Sequence, residues 1–202
     1  MYKPSFLEAI QYLNDNGYEK KEFTDEQIED NLGRTVKEVL DICAPEIDKE
    51  TRHTISVMIE KSMNRQMEEG HARLYRGIKQ VLETLSKEHT LLFLSNCPTS
   101  YKDMARKIFA FDKYFSGYYW AQKYPHTPKY QIFSDYILKE QGEHKYVMVG
   151  DRFHDIEVGV KNNIPIIACL YGFGKKGELD DATYFAKKPL DILDIIDKIK
   201  NN

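Results

Sequence analysis

An α/β architecture, with a parallel sheet preceded by an all-helical unit, is what this sequence of 202 residues predicts, on three grounds. Helix-start signals fill the first third of the chain. From Arg73 onward, short apolar runs alternate with helical stretches, the pattern of a parallel sheet covered by helices on its faces. A balance of 42 % hydrophobic and 30 % charged residues is that of a folded globular chain, not of a disordered or fibrous one.

Taken in order, Phe6, Ile10 and Leu13 recur at three- and four-residue intervals and stop at Asn16-Gly17. Thr24-Asp25-Glu26-Gln27 is a capping box that opens a short helix ending at Gly33, and Thr35-Val36-Lys37-Glu38 is a second box whose helix is followed by Pro45. A long amphipathic segment from Thr51 to Glu69 closes at Gly70. Residues 1–72 are therefore expected as one helical domain and 73–202 as an α/β domain. In the second part the apolar runs are Leu91–Leu94, Tyr118–Trp120, Tyr146–Val149 and Ile164–Ala168. Helical stretches are expected over 78–86, 101–109, 130–140, 156–162 and 190–199.

Composition excludes several classes. Twenty-nine basic against 32 acidic side chains leave a formal charge of −3 with no long basic run, which argues against a polycationic nucleic-acid-binding face. The longest apolar stretch, Ile164–Phe173, is half of what a membrane-spanning helix needs and is broken by Pro165 and Gly172. No secretory pattern opens the chain, and three widely spaced cysteines (Cys43, Cys97, Cys169) suggest neither a zinc site nor a disulfide framework. A cytoplasmic protein, monomer or homodimer, is expected.

In an open α/β sheet, ligands bind beyond the C-terminal strand ends, so the residues after each apolar run are the first candidates. Leu94 is followed by Ser95-Asn96-Cys97, and Val149 by Gly150-Asp151-Arg152-Phe153-His154-Asp155. The Tyr118 strand leads to Lys123 and then Thr127-Pro128-Lys129. A hydroxyl, a lysine and two carboxylates at one sheet edge are the parts of a phosphate and Mg²⁺ site. Mg²⁺ is a hard ion that keeps waters and needs only one or two carboxylates when a substrate phosphate supplies another oxygen. Asp151 and Asp155, four residues apart, can share a helix face, one binding the metal and the other orienting a water or a neighbouring lysine. Ser95 and Asn96 can donate to phosphate oxygens, and Lys129 offers a mobile point charge. Lys129 at a helix start opposes the macrodipole and so calls for an anionic partner, with Lys123 as its substitute. His154 reads as structural, since Mg²⁺ prefers oxygen, Cys97 as a packing residue, and the Tyr118–Trp120 cluster as core.

Leu91–Asn96, Lys129 and Val147–Asp155 together resemble the second, third and fourth motifs of the haloacid dehalogenase (HAD) superfamily. The likeness is greatest to its phosphoglycolate-phosphatase-like branch with a helical cap. Leu74–Ile78, Asn163–Pro165 and Leu170–Gly174 are similar to supporting segments of that branch. The resemblance implies a HAD-like Rossmannoid core and Mg²⁺-dependent hydrolysis of a small phosphorylated metabolite through an aspartyl phosphate. It assigns Asp151 and Asp155 to the metal, Ser95, Asn96 and Lys129 to the phosphoryl group, and Lys129 and Asp155 to catalysis. Arg34, in the loop Gly33-Arg34-Thr35, falls where the family's cap selects substrate.

The family's first motif, an Asp-x-Asp loop that carries the nucleophile after a central strand, is not in this sequence: no Asp has another Asp two positions away. The sheet is therefore expected to lack its central first strand and to close the gap by rearrangement, by borrowing a strand, or as part of a longer natural chain. Hydrolysis near background is expected. The alternative from a different class is a catalytically dead phosphate-binding or regulatory module.

Overall fold

The computed structural model describes residues 2–18 and 21–201. In chain order its elements are α1 (Tyr2–Asp15), α2 (Asp25–Glu29), α3 (Val36–Cys43), α4 (Lys49–Glu68), α5 (Ile78–Leu85), β1 (Leu91–Ser95), α6 (Thr99–Phe109) and β2 (Phe115–Trp120). There follow α7 (Lys129–Ile132), α8 (Leu138–Gln141), β3 (Met148–Gly150), α9 (Phe153–Asn162), β4 (Ile166–Cys169), β5 (Tyr184–Ala186) and α10 (Asp191–Lys200). A wider π-type turn, Phe133–Ile137, joins α7 to α8 within one helical stretch. No helix among the described residues is long and apolar enough to cross a membrane.

The chain forms two compact units, one of Met1–Arg73 with Asn96–Phe111, the other of Leu74–Ser95 with Asp112–Asn202. In the helical unit both capping boxes form. The Thr24 N–H donates to Gln27 Oε1 at 2.8 Å and the Thr35 N–H to Glu38 Oε2 at 2.7 Å. Asp48 caps α4 by accepting the Thr51 N–H at 2.8 Å. Phe6, Ala9, Ile10 and Leu13, the apolar face of α1, are buried with Ile28, Val39, Leu40, Ile55 and Ile59 of the other helices. Each such large side chain contributes about 1.5–3 kcal/mol. Residues 96–111 had been expected in the α/β domain. Their helix instead lies against α4, where the Ser100 hydroxyl donates to Glu60 at 2.9 Å, and so joins the helical unit.

In the α/β unit the strands make two parallel sheets, β1–β2 and β3–β4–β5. Among the described residues no strand pairs with the second edge of β1 or of β3. The gap expected between these two strands is therefore not closed by their pairing with each other. β4 is buried at every position. Its Ile167 and Cys169 face Val81, Ile192 and Ile195 of α5 and α10, while Ile166 and Ala168 face Ile156 of α9 and Leu179. A third cluster joins Leu92 and Leu94 of β1, Tyr119 of β2, Ile132 of α7, Met148 of β3 and Val158 of α9, so both sheets share one packing layer with the helices that start at Lys129 and Phe153. β5 is absent from the sequence expectations because its three residues make too short a run to read.

Candidate active site

β3 ends at Gly150, and α9 starts three residues later, which puts Asp155 at the third position of the helix. From there its carboxylate folds back over the connecting turn. Oδ2 accepts the N–H groups of Asp151 at 3.0 Å and Arg152 at 3.1 Å, and Oδ1 accepts from Lys129 Nζ at 2.7 Å. Lys129 opens α7, so the anionic partner its position called for is Asp155, and each side chain is only 9 % exposed. The turn demands glycine at position 150, because a Cβ there would lie 2.2 Å from Asp155 Cγ. Two of the three N–H donors of Lys129 Nζ have no partner among the described residues, so the buried ammonium still has donors to offer an anion.

Asp151 lies just past the strand. Its Oδ2 accepts the Phe173 N–H at 2.7 Å, and its Oδ1 has no hydrogen-bond partner among the described residues. Burial pushes its carboxyl above the usual range, the Phe173 N–H pulls it back, the Asp155 charge raises it further, and Arg152 and Lys129 lower it. A half-buried carboxylate oxygen with no donor aimed at it suits a hard cation, so Asp151 fits one ligand position of Mg²⁺. Asp155 spends its hydrogen bonds on Lys129 and the turn, which makes it first of all the group that orients the lysine. No cluster of three or more candidate metal ligands occurs among the described residues. A bound ion would therefore rely on water and substrate oxygens for most of its shell.

Ser95 closes β1 opposite Trp120, half-buried, and its hydroxyl makes no hydrogen bond among the described residues. Lys123 is held elsewhere: its ammonium lies 5.0–5.9 Å from the ring centres of Tyr124, Trp120 and Tyr119, an aromatic cage that leaves Lys129 as the lysine paired to Asp155. His154 packs its ring on Phe153 at 3.8 Å and lies 3.6 Å from Glu157. The Cys169 thiol is pushed up to about 11, first by burial, which disfavours the thiolate form. In the helical unit, Asn96 Nδ2 donates to the Gly33 carbonyl at 2.9 Å and Arg34 Nε to the Asp30 carbonyl at 3.4 Å.

Glu178 had not been singled out. Its Oε1 accepts Arg152 Nε at 2.8 Å and the Phe153 N–H at 2.9 Å, and its Oε2 accepts the Lys175 N–H at 2.8 Å. Burial raises its carboxyl, but these donors outweigh burial and hold it below the usual range. The only signal in the sequence was the pair Gly172 and Gly174 after an apolar run, which marks a close approach of backbone without saying to what.

Comparison with known proteins speaks to the family and the fold. A family model described as haloacid dehalogenase-like hydrolase matches residues 3–169. A 5'-nucleotidase of Pseudomonas aeruginosa is 31 % identical over 111 residues, 53 % of this chain, and the matched stretch spans half of that enzyme's length. Among solved structures, a haloacid dehalogenase-like hydrolase from Streptococcus pneumoniae superposes with a TM-score of 0.75 at 20 % identity, covering 96 % of this chain and 91 % of the other. A predicted phosphoglycolate phosphatase from Haemophilus somnus gives 0.75 at 18 % identity over 96 % and 92 %. At those identities the structures speak for the fold. The family match runs through Lys129, Asp151 and Asp155, and with it the chain is placed among the haloacid dehalogenase-like hydrolases.

Proposed function

We propose that the Lys129–Asp155–Asp151 group is the phosphoryl and Mg²⁺ end of a phosphomonoesterase site that takes a small phosphorylated metabolite, phosphoglycolate being the nearest precedent. The observation that carries it is the buried Lys129–Asp155 pair at 2.7 Å beside a carboxylate oxygen with no partner. Asp155 fixes the ammonium by a charge-assisted bond, so Lys129 meets a phosphoryl oxygen with its remaining N–H groups already oriented. Asp151 Oδ1 would hold Mg²⁺, which when bound supplies neutralisation of phosphoryl charge. Ser95, at the C-terminal end of β1 with its hydroxyl not engaged among the described residues, would supply a neutral donor. Cys43, Cys97 and Cys169, which form no disulfide among the described residues, accord with a reducing, cytoplasmic setting.

No Asp-x-Asp pair is present to form an acyl phosphate, so this chain is expected to turn over p-nitrophenyl phosphate with Mg²⁺ at background level. A rate of about 1 s⁻¹ or more in the purified 202-residue chain overturns that expectation. The same absence favours a second reading, a binding module without chemistry. Vanadate binding lost in Lys129→Ala, with no turnover in the parent chain, supports the cradle itself. Vanadate binding unchanged by that substitution rejects Lys129 as the anion's partner.

A further inference from the structure

The segment that follows β4 returns to the Asp151 turn and is stitched to it. Phe173 N–H donates to Asp151 Oδ2 at 2.7 Å, and Gly172 comes so near that a Cβ on it would lie 2.3 Å from both Cβ and Oδ2 of Asp151. Five residues on, Glu178 ties the same segment down. One of its oxygens takes the Arg152 guanidinium and the Phe153 N–H on the turn, and the other takes the Lys175 N–H within the segment. Arg152 is itself buried, so the Arg152–Glu178 pair sits out of water and a change to either partner is felt by the other. Glu178 touches neither Asp151 nor Lys129. Its contacts fall on the two chain segments that the Phe173 N–H to Asp151 Oδ2 bond joins.

We propose that Glu178 is a positioning residue, the fastener that holds segment 170–178 against Asp151 and thereby aims Asp151 Oδ1 at a divalent cation. This rests on the reading of Asp151 as a cation ligand. Groups that orient a ligating carboxylate typically change metal affinity by about 10–100-fold when altered. A fastener one bond further away belongs at the lower end of that range.

The test uses the whole chain and Mn²⁺ as a paramagnetic stand-in for Mg²⁺, followed by amide NMR. In the parent protein, Mn²⁺ broadens the amides of residues 150–152 and 172–174, and Asp151→Asn abolishes the effect. In Glu178→Gln the Mn²⁺ needed for the same broadening rises about tenfold, the Phe173 amide resonance moves, and the thermal midpoint of the ion-free protein does not account for the change. Glu178→Asp, shorter by one methylene, restores part of the affinity, and it carries the same reading should the Gln variant fail to fold. Mn²⁺ affinity unchanged in Glu178→Gln, with the Phe173 and Lys175 amides exchanging freely, overturns the proposal and leaves Glu178 a purely structural tie. Absence of broadening at residues 150–152 in the parent protein overturns the cation reading itself, and this proposal with it, so the two failures appear in different proteins.

Discussion

Two N-terminal turns, one in each unit, use the same device to opposite ends. In α3 of the helical unit, Glu38 at the third helical position accepts the Thr35 N–H and the Thr35 hydroxyl at 2.7 and 2.9 Å, and the Thr35 hydroxyl accepts the Glu38 N–H at 3.2 Å. In α9 of the α/β unit, Asp155 at the same position also reaches back to amides, but its second oxygen holds a lysine and both charges are buried. The first is a closed exchange in which neutral donors meet a carboxylate and a hydroxyl at a half-exposed helix end. The second keeps a cation in reserve. A carboxylate at the third helical position is thus no guide to function by itself; burial and the identity of its further partner separate a cap from a site.

The contrast breaks most visibly when the buried pair loses one member. Lys129→Ala leaves the Asp155 carboxylate uncompensated in the interior and should cost about 3–5 kcal/mol in denaturant unfolding, with the amides at 151 and 152 as its remaining donors among the described residues. Replacing both partners by apolar residues of similar size is expected to cost far less, because no charge is then stranded. A comparable loss in the single and double variants would show that the pair is not the source of the effect.

A smaller effect of opposite sign sharpens the comparison. Burial holds the Asp151 carboxyl above its ordinary range, so its ionisation costs stability at neutral pH. Asp151→Asn removes that cost and can keep an acceptor for the Phe173 N–H, and it should raise the melting temperature at pH 7 while cation binding disappears. For a carboxyl with a raised folded-state value, the cost is complete above that value and vanishes below the unfolded one, near 3.9. The gain of the variant must therefore shrink as pH falls from the raised value toward about 4. A gain that persists at lower pH would place its origin elsewhere.

The smallest change is expected at the cap. Thr35→Ala removes the side chain that Glu38 answers and should cost about 1 kcal/mol, with loss of protection confined to the first turn of α3. Hydrogen exchange at residues 36–39 reads it directly. A loss approaching that of Lys129→Ala would erase the distinction drawn between the two turns.

Much of this was legible before any coordinates. Both capping boxes are local in sequence, so Thr24–Gln27 and Thr35–Glu38 could be read and their helices placed to within a few residues. The anionic partner of Lys129 was demanded by its place at a helix start, and Asp155 was already a candidate to orient a neighbouring lysine. Three features were not legible, each for a physical reason. The side on which α6 packs depends on the complementarity of α4, not on the periodicity of α6. β5 is too short to carry a pattern. Glu178 acts on a turn 25 residues upstream, and a lone Glu in a polar segment has no sequence signature until the chain folds back.

The division of five strands into two parallel sheets also has a bearing on handling the protein. One five-stranded sheet presents two rows of unpaired backbone donors and acceptors, whereas among the described residues β1–β2 and β3–β4–β5 present four. Val149, in the middle of β3, is 39 % exposed beside one of them. Rows of this kind template intermolecular strand pairing. Colloidal behaviour at high concentration, and not melting temperature, is thus the property that this arrangement governs, and charged or proline substitutions along β1 and β3 are the means of adjusting it.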